Sequence, residues 1–524
     1  MNATLAAMRT LALLEARVRL RRLSTLVTLL AVVALSWMMI SDPAGGQTLI
    51  AVRDARVLYT SSAMALGSAA LAALVLALAG FFLLRGRVAE DLRSGTGAVI
   101  GASARGGIPF VVARWCGGVL YLAALTGAFM ATVLLCHAVR GEGPIEPLVY
   151  LQTHALVLGP MILFTASCAT LFEAWAPLMG KKGDLLYFFV WVGQMALLPT
   201  VTGSGGRPVV IPFDFTGTSA VITALVSQLG AGDSLMLGIA DFDPHKAPLV
   251  LPTWTWTASM AATRCLTALL ALIPLLLALP LFHRFSPDRV KPGKARARRS
   301  PLAVVDGWLR PLARLADPLF GLAARTPGIA GQALADVALT LDAAPSALAL
   351  LLAVQVPALV LGVQALAPFT LVCVAYWGIL VSDLSTRDGD AALAGMGAAV
   401  PGGAARRYWR QFLASLVLGL MFTGVAMLHL AAADPLRAAA LASGVFALAA
   451  FASFSGRTSG TPRTFLALFL FGLYVSVNVS RGAWADIVGF HGNATLMSSF
   501  GWAGLGVLAV LGGHAWNRRG VDQP

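Results

Sequence analysis

The sequence predicts an all-α polytopic membrane protein, with about twelve transmembrane helices in two six-helix halves and interfacial amphipathic helices. Three observations predict it. Of the 524 residues, 58% are hydrophobic and only 12% are charged, about half the charge of an ordinary soluble domain. Apolar runs of about eighteen residues or more recur along the whole length, long enough to cross a bilayer as helices and without the alternation of barrel strands. The basic residues gather on alternate connecting segments, as they do when cytoplasmic loops carry the Lys and Arg.

The predicted spans are roughly 23–41, 61–84, 116–139, 155–178, 185–203 and 256–282, then 344–363, 367–384, 411–432, 438–456, 465–480 and 496–516. With both termini cytoplasmic, the inner segments hold 30 of the 38 Lys and Arg. The external ones are Arg53, Arg56, Arg140, Arg207, Lys246, Arg437 and Arg481. Arg264 falls inside a span near its outer end, where snorkelling is expected. The net charge of +14 is therefore read as a topology signal, with no nucleic-acid partner. Five Arg precede the first run, as in a signal peptide, but no A-x-A site follows it. An uncleaved first span is expected.

The first half covers 1–282, with an entry helix at 3–22 and a semi-apolar external segment at 204–255. A basic, proline-broken cytoplasmic linker occupies 283–343 and the second half 344–524. Within the linker, Leu302, Val305, Leu309, Leu312, Leu315 and Leu319 stand at helical spacing and predict an interfacial helix over 302–320.

Signatures of chemistry are sparse. Cys116, Cys136, Cys168, Cys265 and Cys373 lie in or beside apolar runs without a CxxC, so neither a disulfide framework nor a zinc site is indicated. HExxH is absent, the seven His are scattered, and no metal site is expected. There is no Walker A motif, since GKKGD at Gly180–Asp184 lacks the glycine-rich loop before it. Asp241 and Asp243 have a metal-holding DxD form, but a solvated turn before Pro244 is the stronger reading. Ser453–Gly456 has only a loose likeness to a membrane serine-protease motif and no partner His. Glu173, Gln194 and Gln355 are the candidates for a substrate pathway through the spans. For Glu173 an ion pair or interface-level carboxylate weighs equally, and for the two Gln a helix–helix hydrogen bond weighs more. So few intramembrane charges leave no evident proton or sodium relay.

A loop of about thirty residues occurs twice, each copy between the second and third spans of its half. Glu90–Trp115 and Ser382–Gln411 both open on Asp-Leu (Asp91-Leu92; Asp383-Leu384). Both carry a Gly pair, Gly106-Gly107 and Gly402-Gly403, and an Arg eight residues after its first member, Arg114 and Arg410. The second copy is four residues longer between Asp-Leu and the Gly pair and places Val400-Pro401 before it.

An entry helix, two spans, this loop and four more spans resemble the permease subunit of an ABC-2 type ABC transporter. The part most similar to that family is Asp91–Leu122. The resemblance implies an exporter in the bacterial inner membrane, moving an amphipathic or hydrophobic substrate. It also implies that the chain is no enzyme and binds no cofactor, with ATP and Mg held by two cytoplasmic ABC ATPase subunits. The loops, taken as 85–115 and 383–410, then form coupling helices that dock on those ATPases. Their residues are Arg93, Thr96, Arg105, Gly106, Gly107 and Arg114, then Arg387, Gly402, Gly403, Arg406 and Arg410. The Gly pairs are expected to give a tight turn, and Arg114 and Arg410 to anchor the membrane boundary or meet ATPase carboxylates. An accessory periplasmic protein or substrate-pathway proteins are further implied partners. Any inner-face loop carries Arg, so a twelve-span secondary transporter of the major facilitator type stays open. Against it, the first loop lacks the GxxxDRxGRR form of that class, and 204–255 is long for it.

Overall fold

The computed structural model describes residues 2–102, 106–197, 211–230, 234–282, 307–390, 403–479 and 482–519. They are predominantly helical and fall into two compact units, Met1–Pro292 and Gly293–Pro524. Among the described residues, eight helices are long and apolar enough to cross a membrane, or ten if each of two bent helix pairs counts as one span. That is the make-up of a multi-pass membrane protein.

In the first unit α1 (Asn2–Leu20) meets α2 (Leu23–Met39) at a bend of 73°. Then come α3 (Ser61–Leu84), two short helices α4 (Arg87–Arg93) and α5 (Thr96–Ala102), α6 (Gly107–Arg140) and α7 (Pro147–Ala174). After them stand α8 (Lys181–Ala196), α9 (Thr218–Leu229), α10 (Ala258–Leu270) and α11 (Ile273–Leu281), the last two together forming one span. The helices start where the sequence supplies caps. The Thr60 and Thr257 hydroxyls accept N–H bonds at the starts of α3 and α10, and Pro147 opens α7. Packing is close where side chains are small: a Cβ on Gly80 of α3 would lie 2.9 Å from Leu122 of α6.

The expected external segments form a small antiparallel sheet. β1 (Gln47–Val52) pairs with β2 (Ala55–Arg56) on one side and β3 (Leu235–Asp241) on the other. Part of 204–255 is therefore a strand and part the buried helix α9. Arg264 overturns the snorkelling expectation, because it is wholly buried. Its guanidinium donates to the carbonyls of Leu156 (2.9 Å), Val157 (3.3 Å) and Asp214 (2.6 Å), tying the segment before α9 to α7. The Asp214 carboxylate caps the start of α9 through the Gly217 and Ser219 N–H groups.

In the second unit a 3-10 turn (Arg310–Ala316) leads into α12 (Asp317–Arg325), α13 (Gly328–Ala343) and α14 (Pro345–Val360). The helix expected over 302–320 is thus broken over 307–320, with Pro311 and Pro318 punctuating it, while 302–306 lie outside the described residues. The 101° bend between α13 and α14 falls at Ala344-Pro345, where the proline ring holds Ala344 out of the helical region. There follow α15 (Val363–Val381), the single turn α16 (Arg387–Asp390), α17 (Gly403–Ala433), α18 (Pro435–Ser459), α19 (Pro462–Asn478) and α20 (Leu496–Arg519).

Candidate functional site

In the first unit, the C-terminal ends of α1, α3 and α7 converge with the N-terminal ends of α6 and α8. A charged cluster forms where they meet. Arg114, seven residues past the start of α6, pairs with Asp91 of α4 and lies 4.0 Å from Glu15 of α1. Glu15 also pairs with Arg19 at 3.0 Å and Arg87 at 3.5 Å. Arg19 donates to the carbonyls of Leu83 and Leu84, the last of α3, at 3.2 and 3.3 Å. Arg85 and Asp184 form an ion pair at 3.0 Å with side chains 1% and 3% exposed, joining the end of α3 to α8.

Glu173, the candidate intramembrane acid, belongs to this cluster. Its carboxylate accepts the backbone N–H groups of Gly86, Arg87 (3.1 Å) and Val88 (3.3 Å), the donors left open at the start of α4. It holds the loop to the end of α7. Beside it lies a cavity of about 30 Å³, lined by Arg19, Arg114, Glu173 and Trp115 among others, room for one or two waters.

Burial works to raise the Glu15 pKa, but Arg19, Arg114 and Arg87 outweigh it and hold the carboxyl below its ordinary value. Glu90 behaves alike: burial raises it, and bonds from Arg22 and Arg87 bring it lower. The approach of α1 that permits this depends on Gly117, where a Cβ would stand 2.7 Å from the Glu15 Cβ and 3.0 Å from the Ala12 carbonyl.

The second unit has the same wiring. Arg410, also seven residues past the start of its helix, pairs with Asp336 of α13 and with Asp388 of α16, both at 2.8 Å. Each unit therefore has one Arg on the helix after the loop, joined to an acid in the loop and an acid on the bent entry helix. The loop partner corrects the register of the sequence echo. Asp383 stands opposite Asp91 by sequence, yet Arg410 bonds Asp388. Asp91 and Asp388 precede their arginines by 23 and 22 residues, so the longer second copy has moved the acid rather than the Arg. The second knot is shallower, with Arg410, Asp336 and Asp388 side chains 25%, 17% and 24% exposed against 13%, 6% and 7% for Arg114, Glu15 and Asp91. Here burial raises the Asp336 pKa, Arg410 pulls against it, Asp388 adds to the rise, and the net direction is up.

The other candidates fall as follows. Thr96 opens α5, and its hydroxyl donates to the Asp91 carbonyl at 3.3 Å. Arg387 bonds Thr340 at 3.1 Å and lies 3.7 Å from Asp383. Arg406 is exposed. Arg93 ends α4, and Arg105, Gly402 and 391–401 lie outside the described residues. Gly106 has φ −61°, open to any residue, and residues 103–105 before it lie outside the described residues. A turn that favours glycine stands at Gly95, between α4 and α5, with φ +74°. Gln194 accepts from the Phe215 N–H, and Gln355 of α14 donates to the Met421 carbonyl of α17. Asp241 meets Gln47, and Asp243 caps a turn at His245. Among the described residues no group of His, Cys, Asp and Glu could hold a metal ion.

Sequence reasoning missed Glu15, Asp336 and Asp388. Glu15 carried a signal, as the one acid in a 22-residue stretch with five Arg. No protein-family model, curated protein or solved structure matches this chain.

Proposed function

We propose that this chain is the permease of an ABC-2 type exporter in a bacterial inner membrane. It would have twelve spans in two six-helix halves, with both termini and both loops cytoplasmic. Separate ATPase subunits bind Mg and ATP and drive the movement of an amphipathic or hydrophobic substrate. The observation that carries the proposal is the recurrence of the Arg knot at the loop of each unit. A span offers a motor no grip. A loop bonded to the entry helix and to the next span passes a rigid-body displacement to both.

In the first unit α5 supplies the surface to be gripped. It is a short helix beyond the Gly95 turn, with Ala98, Gly101 and Ala102 exposed and Val99 73% exposed. Small apolar residues on a projecting helix suit a groove on a partner. The twelve crossings include α19, whose 17 residues reach about 25 Å, so the bilayer must thin slightly there.

The test is co-expression with an ATPase carrying a Walker A motif. The chain alone should hydrolyse no ATP, and the pair should co-purify and couple hydrolysis to export. Replacing 96–102 by Gly and Ser should abolish binding. Export driven by a proton gradient in ATP-depleted vesicles would overturn the proposal.

A further inference from the structure

The second unit contains an apolar cavity of about 230 Å³ that the loop machinery does not use. Its walls come from α15 (Val374), α18 (Leu448, Phe451), α19 (Phe465 to Ser476) and α20 (Trp502). Ile487 and Val488 also line it. The segment carrying them is held down by Arg437, which donates to the carbonyls of Gly489 (2.7 Å) and Phe490 (2.9 Å). It also lies so close to Gly444 that a Cβ there would come within 2.3 Å of the Ile487 carbonyl. On its flank the cavity reaches Leu468, which is 66% exposed on a helix apolar enough to face lipid. Two hydroxyls line it. Ser455 is satisfied, donating to the Phe451 carbonyl at 2.6 Å. Ser476 is not: it is 3% exposed and its Oγ has no partner.

An apolar pocket of this size that opens on one flank is better filled by hydrocarbon than by water. An engineered apolar cavity of about 150 Å³ already takes up benzene. What enters from a bilayer through an apolar flank is an alkyl chain. Ser476 stands two residues from the end of α19, at the level where a chain's polar end would lie, and an unpaired buried hydroxyl calls for an acceptor.

We propose that this cavity binds one alkyl chain whose ester or hydroxyl oxygen accepts a hydrogen bond from Ser476, the chain running along α19 toward Phe465. Gly472 is the position to test, since it lines the cavity and a Cβ there would meet nothing within 4 Å. The inference goes beyond the exporter reading and does not depend on a motor.

The experiment uses the full chain, washed of lipid in detergent and titrated with a phosphatidylglycerol carrying a diazirine in one palmitoyl chain. Photolabelling should saturate near one per chain and map to Leu473 and Trp502. Gly472→Phe should reduce it to background with an unchanged melting temperature. Ser476→Ala should weaken binding about fivefold. If Gly472→Phe does not fold, competition by unlabelled lipid on the native chain gives the same discrimination. Mass spectrometry of what the unwashed chain retains separates a bulk phospholipid from another alkyl amphiphile, and either supports the site. Labelling that never saturates, or that is equal in Gly472→Phe, overturns it.

Discussion

Glu173 gives the sharpest test of how the first loop is held. Its two carboxylate oxygens accept from three successive backbone N–H groups, Gly86, Arg87 and Val88. Of those residues Val88 is buried, while Gly86 and Arg87 are partly exposed. In Glu173→Ala, water can reach the two exposed donors, but the Val88 N–H loses its acceptor and α4 loses the negative charge at its start. Hydrogen bonds to a charged acceptor contribute roughly 1.5–3 kcal/mol each. With two of the three partly rescued by water, a loss of about 3 kcal/mol is expected. That corresponds to roughly a 150-fold rise in the local opening constant. Glu173→Gln keeps one acceptor oxygen and should cost about half as much in free energy. Hydrogen exchange of the peptide covering 85–93 measures this directly. Protection should fall there and stay unchanged in α3 and α7. Unchanged exchange at 86–88 in Glu173→Ala, or a loss spread evenly over the unit, would refute the cap.

Arg85→Ala removes the buried ion pair to Asp184 and the bond to the Leu178 carbonyl, and should destabilise the first unit by about 3 kcal/mol, read by thermal unfolding in detergent. Gly117→Val drives a side chain into Glu15 and Ala12 and should cost about 1–3 kcal/mol, read the same way. On acidification the knots should respond in opposite senses. The lowered Glu15 pKa contributes stability above 4.5 that is lost as pH falls through its folded value. The raised Asp336 pKa contributes stability that is full below 3.8 and lost as pH rises through its folded value. Glu15→Gln and Asp336→Asn should therefore change the slope of melting temperature against pH with opposite signs. Arg264→Ala removes the buried donors to the carbonyls of Leu156, Val157 and Asp214 and should cost about 3 kcal/mol, with the loss of exchange protection confined to 214–230 and the middle of α7.

Periodicity and run length place helices well because a bilayer-crossing segment must be long, apolar and internally bonded, and eight to ten spans of that length and apolarity stand among the described residues. Boundaries were less legible. The fourth span begins at Pro147 rather than 155, since Pro147 opens the helix and His154 is buried against Tyr150. The sheet was hidden because β1 and β3 lie almost two hundred residues apart in sequence and each is too short to announce itself. The knots were half visible. Arg114 and Arg410 stand out by their spacing from the Gly pairs, but their partners lie on other elements, and no local pattern encodes a contact between residues 15 and 114.

The two knots share their connections and differ in depth, and the difference bears on how a motor could act through them. A buried ion pair is costly to open because each charge is left without solvent; a pair that water reaches can be opened and remade at modest cost. In the first unit Arg114, Glu15 and Asp91 are deeply buried, Arg19 and Arg87 add to them, and Glu173 grips the loop from a fourth helix. Displacing that loop must carry α1, α6 and α7 with it. In the second unit the Arg410 knot is more open to water, and among the described residues of the loop the Ser385 hydroxyl donates to the Ala452 carbonyl of the fourth helix at 3.2 Å. The Arg410 ion pairs can be opened and remade at lower cost than those of Arg114. Charge-reversal cycles separate the two cases: Arg114→Asp with Asp91→Arg should recover little of the lost stability, because the reversed charges remain buried among Arg19, Arg87 and Glu15, whereas Arg410→Asp with Asp388→Arg should recover most of it. Equal recovery in the two units would mean that the loops are mechanically alike and that the difference in depth has no consequence.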